Sequence, residues 1–156
     1  MHADLRGFEY ALEPLRQQRQ WRLDKLLADL GSLQRDIARA RAELDRLQAR
    51  HREHAQAISD AIQRHFDMDV YRRGLHWLAG LRSQMLEQEA ALETLLLKKE
   101  GMQKACVDAQ QKLDVMERHR DDSIVDYVQA QSSRALAQAD QDWIGRQGQM
   151  PAGASV

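Results

Sequence analysis

The sequence predicts an all-α protein: two long helices folded into an antiparallel coiled-coil hairpin, with a disordered C-terminal tail. Three observations carry that expectation. Leu23, Leu26, Leu30, Leu33, Ile37, Ala40, Leu44 and Leu47 fall alternately three and four residues apart, the heptad repeat of a coiled coil with Leu23 at position a and Leu26 at d. The same spacing returns in Leu78, Leu81, Met85, Gln88, Leu92, Leu95, Lys99, Met102, Cys106, Ala109, Leu113 and Met116. Between the two repeats the periodicity lapses only at Phe66-Asp67-Met68-Asp69-Val70-Tyr71. A short turn between long helices makes an antiparallel pair the default.

Composition agrees. Of 156 residues, 5% are aromatic and 30% charged, and Pro14 and Pro151 are the two prolines. Chains rich in Ala, Leu, Arg, Gln and Glu with a heptad pattern are long-helix proteins rather than packed globules. A net charge of −1 supplies no domain-wide basic field, which argues against a bulk nucleic-acid binder. The lone Cys106 excludes an internal disulfide and fits a reducing compartment. The opening MHADLRGFEYALEP lacks the basic-then-apolar build of a signal peptide, and no apolar run approaches the ~18–20 residues that span a bilayer. A cytoplasmic protein without membrane insertion is expected.

Each element has its own local logic. In residues 1–13, Asp4 is placed to cap a short helical turn carrying Leu5, Phe8 and Leu12. Pro14 suits a first helical turn and would kink an interior, so helix 1 is expected over about residues 14–65. Within it His51, His54, Ile58 and Ala61 continue the seam, and Gly31 falls at exposed position b, where glycine costs roughly 1 kcal/mol. The turn is expected at about 66–72, where Asp67 or Asp69 can cap helix 2, and helix 2 at about 73–146. The repeat can be counted through Tyr127 to Ile144. QGQMPAGASV, residues 147–156, holds turn-forming and small residues and reads as the tail.

The two repeats suggest a register. Pairing Leu47 with Leu92, Leu44 with Leu95, Ile37 with Met102 and Leu23 with Met116 sets every a opposite a d and puts the fold-back at the lapse. Registers one heptad away keep that pairing but need a lopsided loop. The paired helices are then roughly 75 Å long at ~1.5 Å per residue. Helix 1 begins opposite about residue 125 in this register, leaving residues 126–146 as a single helix. Near that end the seam turns polar: Arg16 and Arg19 take a and d positions, and Arg19 faces Arg120. Either these arginines splay outward to Glu117, Asp121 and Asp122, or this end enters a partner that neutralises them. Trp21 at f and Trp143 at c point outward, as interface anchors do.

No catalytic constellation is present. GxxxxGK[ST], GxGxxG and CxxC are all absent. His51 and His54 lie three apart on one helical face, but no Cys or carboxylate completes a tetrahedral metal set. In the seam they read as a polar layer that fixes register. Cys106 sits at an apolar a position and reads as core, and Asp67 and Asp69 read as caps rather than an acid–base pair. No enzyme activity, cofactor or metal is expected.

The opening YALEPLRQQRQWRLDKLLADL, the long seam, the turn followed by VYRRGLHWLAGLRSQM and the final ADQDWIGR resemble the FliJ/YscO family, the central-stalk proteins of type III secretion and flagellar export. The similarity spans residues 8–146, and the opening carries Leu12, Leu15, Arg16 and Arg19 in the family's spacing. The resemblance implies an antiparallel hairpin whose open end inserts into a hexameric export ATPase and promotes its assembly and turnover. It implies contact with the cytoplasmic domain of the export gate, and in some members with secretion chaperones, at the cytoplasmic face of the secretion apparatus. On that resemblance the ATPase-binding residues are Leu15, Arg16, Arg19, Trp21, Arg22, Arg120, Tyr127, Arg134 and Trp143. Matching Tyr71 to the family tyrosine after the turn puts the gate contact on Leu78, Leu81 and Met85, with Gly74 where flagellar members carry an aromatic. Two other functions fit the residues: a secretion chaperone or escort that binds exported substrates, and a structural dimeric coiled-coil tether. Gly74 and Gly80 near the turn argue against the continuous helix of a tether.

Overall fold

The computed structural model describes residues 4–149, and among them all regular structure is helical. Helix α1 spans Glu13–Arg64 and helix α2 spans Met68–Gly148, and the two pack against each other. The expected tail residues 150–156 lie outside the described residues; Gln147 and Gly148 belong to α2.

The helix ends follow from local chemistry. Glu13 and Pro14 open the first turn of α1, where a missing N–H is harmless and a carboxylate meets the positive end of the helix dipole. The Glu13 N–H donates to the Tyr10 carbonyl at 3.1 Å. At the other end the His65 N–H still donates to the Ala61 carbonyl, and three residues later α2 has begun. Asp67 caps it: Oδ1 accepts from the Asp69 N–H at 2.9 Å and the Val70 N–H at 3.4 Å. The turn is therefore shorter than the expected 66–72, and α2 starts at Met68 rather than near 73. The cap decides the matter, because Asp67 satisfies the orphan N–H groups of Asp69 and Val70, which start the helix two residues before an Asp69 cap would.

The chain divides into two units. The first comprises Trp21–Ala109, the bulk of the seam. Leu23, Leu33, Ile37, Ala40, Leu47, Leu81, Cys106 and Ala109 are its buried residues, and the other predicted a and d positions are half-buried. No polar side chain is buried among the described residues. The polar seam position Gln88 donates from Nε2 to the Ala40 carbonyl at 3.3 Å. His54 packs against Trp77 with centroids 5.6 Å apart, and Gly74 lies against Ile58. Along these contacts α1 numbers rise as α2 numbers fall. They also correct the expected register. Ile58 was expected opposite Leu81 and meets Gly74 instead, one heptad nearer the turn. With α2 starting early at Met68, this register is the symmetric one about the short turn.

The second unit comprises residues 4–20 and 110–149. Leu113 and Met116 are buried in it. Residues 4–12 form a non-helical strap against α2. Asp4 Oδ1 accepts from the Arg6 N–H at 3.1 Å, the Phe8 N–H donates to the Leu5 carbonyl, and Gly7 turns the chain at φ 84°, a left-handed conformation natural to glycine. Asp4 thus stabilises a non-helical turn in place of the expected helical one, because Gly7 takes the left-handed conformation that a right-handed helix excludes.

Candidate interaction surfaces

Within the second unit, strap and α2 meet through aromatic residues. Phe8 stacks edge-on against Tyr127 at 5.4 Å. The Tyr127 hydroxyl donates to the Arg6 carbonyl at 2.8 Å and accepts from Gln131 Nε2 at 2.7 Å. Tyr10 Oη lies 2.7 Å from His119 Nδ1. Tyr127, expected in the single helix, is therefore half-buried beneath the strap. Phe8, Tyr10 and His119 were not expected here; Phe8 and Tyr10, two residues apart, carry the alternation of an extended segment, and that was the available signal.

The seam arginines are engaged. Arg16 clamps Glu13 through Nε at 2.9 Å and Nη2 at 2.7 Å, and its Nη1 reaches Glu117 Oε1 at 2.9 Å. The hydrogen bond to Glu13, then that to Glu117, raises the Arg16 pKa, and the Arg16 guanidinium lowers that of Glu13. Arg19 does not face Arg120: its Nη1 donates to the Lys112 carbonyl at 3.0 Å. Arg120 lines a shallow pocket with Phe8, Glu9 and Tyr10 of the strap and Glu13 of α1, and its charge helps to lower the Glu13 pKa. Beyond Gln131 every residue of α2 through Gly148 is exposed. That stretch carries Arg134, and Leu136, Trp143 and Ile144 stand at 68%, 61% and 63% exposure. A solitary helical segment of this kind gains little from its own hydrogen bonds in water. Leu15 is also exposed.

In the first unit, Trp21 is 66% exposed with Lys25 Nζ 5.8 Å from its ring centroid, and Arg22 is exposed. Of the residues matched to the gate contact, Leu81 is buried at 3% exposure while Leu78 and Met85 are half-buried. All three belong to the seam. The exposed apolar residues near the turn are instead Phe66, Met68, Val70, Leu75 and Trp77. Trp77 stands between two grooves. One, of about 180 Å³, is lined by Arg50, His76, Gly80, Leu81 and Gln84 as well as Trp77. The other, of about 370 Å³, includes His54, Ile58, Val70, Arg73 and Gly74.

Among the described residues no group of three or more His, Cys, Asp or Glu is placed to hold a metal ion. No helix there is long and apolar enough to cross a membrane. Cys106 is a buried free thiol. The fold and these surfaces define a two-helix protein built on a heptad seam, with exposed aromatic anchors on each unit. No protein-family model, curated protein or solved structure matches the chain.

Proposed function

We propose that the chain is an antiparallel coiled-coil hairpin that serves as the non-enzymatic central stalk of a type III export apparatus. It inserts its terminal end into the hexameric export ATPase, stimulates it, and links it to the cytoplasmic domain of the export gate. The rising and falling numbers of contacting residues within each unit support the antiparallel arrangement. The observation that carries the stalk reading is the exposed end of α2. A helix extended past its partner, with Arg134, Leu136, Trp143 and Ile144 all exposed, needs an enclosing partner to order it. A ring interior supplies one. The resemblance of residues 8–146 to the FliJ/YscO family supports the same reading, as does the cytoplasmic location that it implies.

ATP turnover by the cognate export ATPase, measured with and without the purified chain alongside hexamer content, tests the proposal. Turnover and hexamer content rise at substoichiometric amounts. Arg16 is tied to Glu13 and Glu117, so its reversal disturbs the fold as well as the surface. The cleaner probe combines Arg134→Glu with Trp143→Ala, both at exposed positions. That variant keeps its helicity and loses most of the stimulation. Full stimulation by the variant would remove the terminal end from the contact, and no effect of the parent chain would end the stalk reading.

A further inference from the structure

We infer that the two grooves flanking Trp77 form a docking surface for an acidic amphipathic helix of another protein. Of the residues assigned to the gate contact only the buried Leu81 borders this surface, and the inference holds whether or not the chain is a stalk.

The argument begins with spacing. Gly74, Trp77 and Gly80 succeed one another at three-residue intervals on α2, close to one face of a helix. The large ring thus stands between two positions with no side chain: the space beside Gly80 is open, and that beside Gly74 is filled by Ile58, which forms part of the groove lining there. Trp77 is 51% exposed, yet His54 holds its ring from one side at 5.6 Å. An exposed ring already held in position is the kind of anchor around which binding energy concentrates.

Charge selects the partner. Arg50 lines one groove and Arg73 the other, and among the described residues no carboxylate lines either. The floor is apolar, with Leu81 on one side and Ala57, Ile58, Ala61 and Val70 on the other. A helix presenting apolar residues to the hollows and Asp or Glu at its margins meets both features, its carboxylates accepting from the guanidinium groups. A lipid surface fits less well. The grooves hold two arginines and no lysine, whereas membrane-binding segments present clustered Lys and Arg around inserted apolar residues.

The test selects the ligand rather than assuming it. A displayed library of amphipathic helices about four turns long is panned against the full chain and counter-panned against Trp77→Ser. Trp77 is half-exposed, so its replacement leaves the seam intact, and circular dichroism verifies this. The enriched sequences carry an apolar i, i+3 or i+4, i+7 stripe bordered by Asp and Glu. Their binding to the parent chain weakens about tenfold or more in Trp77→Ser and again in the double variant Arg50→Glu, Arg73→Glu. Neutral or basic enriched sequences would overturn the inference, as would affinity that survives both variants or a library with no Trp77-dependent binder. Binding of anionic phosphatidylserine vesicles in place of any peptide would assign the surface to lipid and equally overturn it.

Discussion

Gly74 lies so close to Ile58 that a Cβ built on it would sit 2.6 Å from Cδ1 and 2.8 Å from Cγ1 of the isoleucine. The contact explains why glycine stands inside a long helix. Alanine there gains about 1 kcal/mol of helix propensity, but it collides with the body of the Ile58 side chain and not only its tip. Overpacking of this kind costs about 1–3 kcal/mol, so Gly74→Ala lowers unfolding stability by about 1 kcal/mol. In an Ile58→Ala background the collision is gone and the same change stabilises instead. Urea denaturation of the four chains measures the reversal, and a Gly74→Ala effect of one sign in both backgrounds contradicts the contact.

The strap is a separate layer of stability. Phe8 meets Tyr127 edge-on, and the Tyr127 hydroxyl ties the Arg6 carbonyl. Leu5 and Leu12 remain exposed, so few apolar contacts hold residues 4–12. Phe8→Ala removes an aromatic pair worth roughly 0.5–1.5 kcal/mol together with the area that the ring buries. The expected result is about tenfold or faster amide exchange at the strap hydrogen bonds, with exchange between Trp21 and Ala109 unchanged. Strap amides that already exchange freely in the parent chain would contradict this packing.

What the sequence made legible, and what it did not, divides along physical lines. Each a and d position read from Leu23 to Ala61 and from Leu78 to Met116 is buried or half-buried, because apolar periodicity reports directly on which face is covered. Register was hidden, since a heptad repeat looks the same after a shift of seven. Only the helix start breaks that degeneracy, and it hinged on Asp67 capping rather than Asp69. The strap was hidden for a different reason. Its partners Tyr127 and His119 lie far along the chain, and an aperiodic segment names no distant contact. The grooves beside Trp77 depend on Arg50 and His54 of α1, which no local pattern brings to it.

The ion cluster of Arg16, Glu13 and Glu117 sets a pH dependence. Arg16, through its hydrogen bonds, holds the Glu13 pKa below its ordinary 4.5. A carboxyl whose folded value is depressed contributes stability above its unfolded value, and that contribution is lost as pH falls through the lower folded value. The Arg16 pKa is itself raised, so the guanidinium stays charged throughout. Carbon-detected NMR of the Glu13 carboxyl therefore gives a midpoint below 4.5, and Arg16→Gln moves it upward. A midpoint indifferent to Arg16→Gln would mean that the clamp does not persist in solution.

Register is the prediction on which the geometry of the seam rests. A disulfide forms without backbone movement when two Cβ atoms stand about 3.5–4.5 Å apart and face each other. The Cβ built on Gly74 lies 2.8 Å and 3.7 Å from the two γ-carbons of Ile58, so the β-carbons of cysteines at these positions fall near that range. With buried Cys106 first replaced by alanine, the pair Ile58→Cys, Gly74→Cys oxidises readily within one chain. The pair Ile58→Cys, Leu81→Cys, which the one-heptad alternative would favour, stays reduced under the same conditions. Non-reducing gel mobility and mass spectrometry of the cross-linked peptides distinguish the two. Closure of the second pair in preference to the first would move α2 by two helical turns along α1. It would also separate Trp77 from His54, leaving the indole ring without the side chain that holds it.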